Sequence, residues 1–294
     1  MKYILRFCTI AAAIVLAWPF SSVMAANKPL TASQVTPLGI DISHPQCKKQ
    51  VPTTQAFGVV GVNGGTAASV NSCLAKQLTW ASRSVGSSSQ DALQLYVNTA
   101  SPGAYINQIS TWPKTSVDED GIDTSTSSIS PYETCDGTDS VGCAWQYGWN
   151  RARAAVNEYF APAAQQAGLD TSPAAYTWWL DVETMNTWRS GIELDGFAKN
   201  VAALEGMTSY YDHVGAKNVG LYSTNLQWDT IVGDAVDVDS PLMHRDTWYA
   251  LGTTTKTKAV AACTSPRYRP LTGTGQIALT QFISGNLDYD VSCG

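Results

Sequence analysis

The segment Tyr176-Thr-Trp-Trp-Leu-Asp-Val-Glu183 decides how this sequence is interpreted. Its apolar run leaves no polar face, which is typical of a strand buried on both sides in a parallel sheet. Asp181 and Glu183 stand at the carboxyl end of the run, and strand residues two apart point to the same side. The segment therefore predicts a buried strand that delivers two carboxylates to one edge of a sheet.

Similar apolar runs recur along the chain, with helical patterns between them. The runs cover 38–43, 57–62, 93–97, 219–222, 247–251 and 277–283, with a shorter candidate at 287–291. Apolar residues recur every three or four positions over 145–168 and 194–211, and 74–84 is a third helix candidate. This alternation predicts an α/β fold, a single modified TIM-type β/α barrel over 38–294. A doubly wound sheet is the alternative, but no glycine-rich phosphate loop follows the first run.

Residues 104–143 interrupt the alternation and are rich in Ser, Thr, Asp and Gly. We predict a long loop insertion after the third strand. In a β/α barrel the loops that follow strands form the active-site face, so this insertion would lie over a site. A solvated surface loop of no function fits the same composition.

The amino-terminal residues 1–26 have the pattern of a secretory signal peptide. Lys2 and Arg6 precede an uncharged apolar stretch over 10–17, and Val23-Met-Ala25 offers a cleavage site. A retained membrane anchor is the alternative, although the stretch is shorter than the roughly 20 residues that a spanning helix needs. With 27–37 as a linker, the sequence predicts a secreted, extracellular protein that has no stable membrane anchor after cleavage.

The cysteine count supports export. Cys8 lies within the signal pattern, and the other six of the seven cysteines form an even set, as disulfides require. Of the 15 pairings that six cysteines allow, we choose the sequential one. It joins Cys47–Cys73, Cys135–Cys143 and Cys263–Cys293, so the barrel would be disulfide-stapled. A zinc site is the alternative, but it would need closely spaced ligands.

Composition excludes several classes of protein. The 10 Trp and 13 Tyr, with only 14% charged residues, argue against a disordered chain. The 18 Lys+Arg against 24 Asp+Glu argue against a nucleic-acid partner. The many hydroxyl and amide side chains suit a neutral, hydroxyl-rich partner better than an ionic one.

Carboxylates are the best candidates for chemistry in this sequence. There are three histidines and no Gly-x-Ser-x-Gly elbow, so a Ser-His-Asp triad is not indicated. Asp41 ends the first run, Asp181 and Glu183 the fourth, and Asp288 and Asp290 the last. A barrel would bring these acids together, and their repulsion would keep one protonated as a general acid. The alternative is that each acid is solvated or caps the helix that follows.

Five motifs in chain order resemble those of a known family. They are Gly39-Ile-Asp-Ile-Ser-His-Pro-Gln46, Leu180-Asp-Val-Glu183, Gly220-Leu-Tyr-Ser-Thr-Asn-Leu-Gln-Trp228, Thr280-Gln-Phe282 and Gly285-Asn-Leu-Asp-Tyr-Asp290. They resemble the strand-end motifs of glycoside hydrolase family 25, the Chalaropsis-type lysozymes, from about residue 38 to 290. The resemblance implies a modified β/α barrel that cleaves the β-1,4 bond between N-acetylmuramic acid and N-acetylglucosamine of peptidoglycan, without a metal or other cofactor.

The resemblance also implies roles for single residues. Glu183 would be the general acid/base, and Asp181 would orient or stabilise the reacting sugar. Asp41 would be the carboxylate of the first strand, and Asp288 matches the final Asp better than Asp290, whose position is often Asn in the family.

Further positions fall where the family has sugar-contacting residues. These substrate-binding candidates are Tyr96, Tyr222, Trp248 and Gln281, although core packing explains each aromatic equally well. Asn63 is added because it ends the second strand, where the family usually has a basic residue. The sequence departs from the family at Asn63, in the third strand and in the 104–143 insertion. Two alternatives therefore stay open: a hydrolase that acts on a related N-acetylated glycan, and a non-catalytic glycan- or protein-binding module. A metal-dependent phosphodiesterase is a weaker alternative.

Overall fold

Eight strands close into a barrel in the computed structural model, which describes residues 37–294. The strands follow chain order around the barrel: β1 Leu38–Ile42, β2 Gly58–Gly61, β3 Leu93–Asn98, β4 Thr177–Asp181, β5 Asn218–Ser223, β6 Thr247–Thr253, β7 Ile277–Ser284 and β8 Leu287–Ser292. Strands β1 to β7 are parallel, and β8 runs antiparallel to both β7 and β1. The predicted α/β barrel is confirmed. The predicted signal peptide and residues 27–36 of the predicted linker lie outside the described residues.

Six α-helices lie between the strands: α1 Leu74–Ala81, α2 Val141–Ala154, α3 Ala161–Ala167, α4 Gly196–His213, α5 Asn225–Val232 and α6 Lys256–Ala262. A π-helical segment, Ala155–Phe160, joins α2 to α3. The helix predicted over 145–168 is therefore present, but it starts earlier, at Val141, and contains this π-helical segment. Among the described residues, none of the helices combines the length and hydropathy needed to span a bilayer.

The apolar run in β4 is buried on both faces, as its composition predicts. Trp178 packs outward, with its ring 5.2 Å from Phe160 and 4.8 Å from Tyr211. Trp179 points into the barrel, 5.9 Å from the ring of Trp248. Both tryptophans are at most 1% exposed. Neither face of this strand can therefore carry a charge until the strand ends.

Helices α2 and α4 pack closely because each presents a glycine at the crossing. A Cβ atom added to Gly148 would lie 1.8 Å from the carbonyl oxygen of Ala203. One added to Gly206 would lie 1.9 Å from the carbonyl oxygen of Trp145. No side chain fits at either position, so the two backbones touch.

A two-residue turn reverses the chain before the last strand. Ser284 pairs with Leu287, and Gly285 has φ 65°, a backbone conformation that glycine adopts readily. The reversal places Asp288 directly opposite Asp41 of β1. The last strand thus delivers its acid from its amino-terminal end, whereas the other strands do so from their carboxyl-terminal ends.

The 104–143 segment begins within the short 3₁₀ turn Gly103–Tyr105, has an isolated bridge between Val117 and Asp123, and ends in the first residues of α2. The Asp118 carboxylate accepts a hydrogen bond of 2.8 Å from the Trp149 indole. Arg153 forms ion pairs with Glu119, Asp120 and Glu158. The segment is therefore anchored to α2 by one buried hydrogen bond, from Trp149 to Asp118, and by the ion pairs of Arg153 with the exposed acids Glu119 and Asp120.

Residues 37–294 contain three disulfides, and they are the sequential pairs Cys47–Cys73, Cys135–Cys143 and Cys263–Cys293. The predicted pairing is confirmed, and these cysteines are not zinc ligands. Each bridge closes a local loop, with separations of 26, 8 and 30 residues.

Candidate active site

One pocket at the barrel mouth gathers the predicted site residues. It has a volume of about 140 Å³ and is lined by Asp41, Tyr96, Asp181, Glu183, Tyr222, Trp248, Gln281 and Asp288. The barrel thus brings together residues from seven of its strands and from the loop after β4. A larger surface cavity of about 370 Å³ beside α6 is lined by Lys258 and Arg267 among others but has no carboxylate.

Asn63 is the candidate that the structure does not bring to this pocket. Its side chain is 1% exposed, and its amide makes hydrogen bonds of 2.8–3.1 Å with the side chain and backbone of Asn98. These bonds tie the end of β2 to the end of β3. Because the amide already has these partners, the structure does not support a direct contact of Asn63 with substrate.

A chain of hydrogen bonds crosses the pocket floor from β5 to β1. The Tyr222 hydroxyl donates to Oε1 of Gln281 at 2.9 Å, and Nε2 of Gln281 donates to Oδ2 of Asp41 at 2.9 Å. The three side chains are 7–8% exposed. Gln281 therefore orients the Asp41 carboxyl group rather than facing solvent.

Burial and neighbouring acids favour the protonated form of Asp41. Burial, followed by the charge of Asp288, raises the pKa of Asp41 to about 8, against the smaller opposing effect of the Gln281 hydrogen bond. Asp41 thus holds its proton over a range in which an ordinary aspartate is ionised.

Asp181 and Glu183 enter the pocket together, as the two-residue spacing predicts. Asp181 ends β4, is 5% exposed, and its Oδ1 has no hydrogen-bond partner. Burial and then the charge of Glu183 raise the pKa of Asp181 well above its ordinary value. Burial also raises the pKa of Glu183, and a hydrogen bond from Gln227 opposes that rise. Two neighbouring acids with raised pKa values can divide the roles of proton donor and charge stabiliser.

Residues around Glu183 fix the loop that carries it. The Glu183 carbonyl accepts from the Asn186 amide at 3.1 Å and from the Trp188 indole at 2.8 Å. Gln227 of α5 accepts from the backbone amide and hydroxyl of Thr184. Gln227 therefore ties the β4 loop to α5 beside the carboxylate, a role that its position in the Gly220–Trp228 motif did not reveal.

Asp288 completes the ring of acids from the opposite side of the pocket. Burial raises the pKa of Asp288, and the charge of Lys49, in the loop after β1, opposes this. Asp288 is half-buried.

The aromatic residues differ in how much surface they offer. Trp248 is 2% exposed and packs 4.5 Å from the ring of Tyr222 and 6.0 Å from that of Tyr96. Trp248 therefore belongs mainly to the barrel core, and Tyr96, which is partly exposed, offers more surface to a ligand.

Asp290 was set aside in favour of Asp288, yet both point inward. Asp290 is fully buried beneath the pocket, and its Oδ1 accepts a hydrogen bond of 2.8 Å from the Trp248 indole. The alternation of β8 places residues 288 and 290 on one face, which agrees with the expectation that both acids converge with those of the other strands. Within residues 37–294, no three His, Cys, Asp or Glu side chains are arranged to hold a metal ion.

The fold of this chain is similar to the folds of several proteins of known structure. A family GH25 lysozyme from Aspergillus fumigatus superposes with a TM-score of 0.50 at 14% identity, over 88% of this chain and 95% of that one. The chain has the fold of a GH25 lysozyme. The spore cortex lytic enzyme SleM of Clostridium perfringens has the GH25-like fold too, with a TM-score of 0.50 at 14% identity, over 90% of this chain and 69% of that one.

The modular autolysin LytC of Streptococcus pneumoniae, solved with a synthetic peptidoglycan ligand, matches at 12% identity with a TM-score of 0.47. The match covers 87% of this chain and 46% of LytC, so the chain spans less than half of that protein. No protein-family model and no curated protein matches this sequence.

Proposed function

We propose that this protein is a glycoside hydrolase that cleaves the β-1,4 bonds of peptidoglycan between N-acetylmuramic acid and N-acetylglucosamine. The observation that carries the proposal is the gathering of Asp41, Asp181, Glu183 and Asp288 around one pocket. Glycosidic bond cleavage needs a protonated carboxyl group beside an ionised one, and neighbouring acids in a partly buried pocket supply that division. The shared GH25 fold points to the same reaction.

In the proposed mechanism Glu183 donates its proton to the leaving oxygen. It is the acid nearest to solvent on the β4 side, so it can reach a bond lying across the mouth. Asp181 sits deeper and stabilises the oxocarbenium-like transition state or orients the acetamido group of the sugar that forms it. Tyr96 presents an aromatic ring at the mouth, on which an apolar sugar face can pack.

The experiment is digestion of purified peptidoglycan by wild type and Glu183→Gln. Reducing ends are counted, then reduced with borohydride and identified by mass spectrometry. New ends on N-acetylmuramic acid are expected from wild type, with a loss of about 100-fold or more in Glu183→Gln. Asp239→Asn removes an exposed acid remote from the pocket and should match wild type.

Two results would contradict the proposal. Wild type that binds peptidoglycan yet releases no reducing ends would make the barrel a binding module. Full activity in Glu183→Gln would remove Glu183 from the role of acid.

We also propose that the protein is secreted after removal of residues 1–26. Three disulfides support this, because disulfides persist in oxidising compartments. The intact mass of protein recovered from the medium tests it, since cleavage after Ala25 or Ala26 gives a defined mass.

A further inference from the structure

Asp290 lies under the pocket as a carboxyl group with no access to solvent. It is 0% exposed, and Oδ1 accepts the hydrogen bond from Nε1 of Trp248 at 2.8 Å. The other oxygen, Oδ2, has no donor that could satisfy it. A buried carboxylate with one oxygen unpaired is costly, whereas a protonated carboxyl group can donate from that oxygen.

The group that Asp290 meets is itself a carboxyl group. Asp290 pairs with Gly39 in the register of β8 and β1, so it lies on the same face of the sheet as Asp41, which is two residues further along β1. A protonated Asp290 can donate from Oδ2 towards the Asp41 carboxyl group, whereas two carboxylates can only accept. The Oδ2 atom of Asp41 already accepts a hydrogen bond from Nε2 of Gln281. Each carboxyl group thus has one neutral donor, Trp248 for Asp290 and Gln281 for Asp41.

The surroundings favour one retained proton. Burial, followed by the charges of Asp41 and Asp288, raises the pKa of Asp290 well above its ordinary value, against the smaller opposing effect of the Trp248 hydrogen bond. Trp248 of β6 and Gln281 of β7 are neutral, and Lys49 acts on Asp288.

We propose that Asp290 is a positioning residue that works as a neutral acid, donating from Oδ2 to Asp41 while accepting from the Trp248 indole. In this role it fixes the Asp41 carboxyl group at the pocket floor and locks Trp248 against Tyr222. The inference rests on the proposed hydrolase function for its consequence, but not for its protonation state.

Asparagine is the matched substitution, because its amide copies a protonated aspartate atom for atom. In Asp290→Asn, Oδ1 still accepts from Trp248 and the amide nitrogen donates to Asp41. Asp290→Ala removes both the acceptor for the Trp248 indole and the proposed donor to Asp41. We expect Asp290→Ala to lose at least 10-fold in kcat on peptidoglycan, and Asp290→Asn to restore kcat to within about threefold and to keep the acid limb of the pH profile. An ionised Asp290 would instead give an Asp290→Asn acid limb shifted to lower pH.

The second readout needs no activity and applies even where Asp290→Ala fails to fold. The Trp248 indole N–H resonance, assigned in a ¹H–¹⁵N spectrum through Trp248→Phe, is compared in wild type and Asp290→Asn at pH 5.5. If the acceptor is neutral in both proteins, the chemical shift of the Trp248 indole N–H should be nearly the same in wild type and in Asp290→Asn. A large upfield move in Asp290→Asn would mean that wild type offers a charged acceptor, and it would overturn the inference. If wild type hydrolyses no glycan, the proposed function fails while this spectrum still decides the protonation of Asp290.

Discussion

Raising the pH should destabilise this protein, and Asp41→Asn should cancel much of that effect. The pKa of Asp41 is raised to about 8 by burial and by Asp288, whereas an unfolded aspartate titrates near 3.9. A group with a raised pKa in the folded state contributes stability that is complete below its unfolded pKa and is lost as the pH rises towards its folded pKa. At about 1.4 kcal/mol per pH unit, the loss between pH 5 and pH 8 is on the order of 4 kcal/mol.

Asparagine at position 41 keeps an oxygen that accepts from Gln281 and removes the ionisable group. The free energy of unfolding, from urea titrations followed by tryptophan fluorescence, should match wild type at pH 5 and exceed it at pH 8 by on the order of 4 kcal/mol. Asp239→Asn should track wild type at both pH values. The reasoning is refuted if wild type is as stable at pH 8 as at pH 5, or if Asp41→Asn declines in parallel with it.

Two further predictions concern the scaffold. Gly206→Ala should lower the free energy of unfolding by about 2 kcal/mol or more, because the new methyl group would lie 1.9 Å from the carbonyl oxygen of Trp145; an unchanged urea midpoint would show that α2 and α4 can separate freely. Replacing Cys263 and Cys293 by serine should cost about 3.5 kcal/mol, since that disulfide closes a separation of 30 residues. Loss of the bridge with a separation of 8 should cost about 2.5 kcal/mol, and the reverse order would contradict the loop-closure argument.

The barrel could be predicted from sequence because its strands are apolar on both faces. Trp178 and Trp179 are the clearest case, since only a strand enclosed on both sides hides two successive tryptophans. The reversal of β8 was not predicted, although Gly285-Asn286 between two apolar runs is a hairpin signal. The direction of β8 depends on the turn that precedes it, and the amino-acid composition of the strand does not indicate that direction.

The acids of the site could be predicted because they end apolar runs, where a charge is unexpected. Asn63 also follows such a run, but its amide makes hydrogen bonds with the neighbouring Asn98. The sequence does not show whether a polar side chain at a strand end will face the pocket or bond to the adjacent strand. The family resemblance ranks Asp290 below Asp288, because a resemblance reflects only which residue usually occupies a position. Its neutral, buried state depends on Asp41 and Trp248, which are about 250 and 40 residues away in sequence.

The reversed last strand has a consequence for protein engineering. Leu38 at the start of β1 pairs with Val291 near the end of β8, so the beginning of the first strand and the end of the last strand lie side by side at one end of the barrel. The pocket opens at the other end, where Asp41 faces Asp288. A short linker could therefore join residues 38 and 294 in a circular permutant that keeps the Cys263–Cys293 disulfide, with new termini opened in the exposed loop at 85–87. Cargo attached at that loop, which precedes β3, would hang from the closed end of the barrel and leave the mouth free for a polymer.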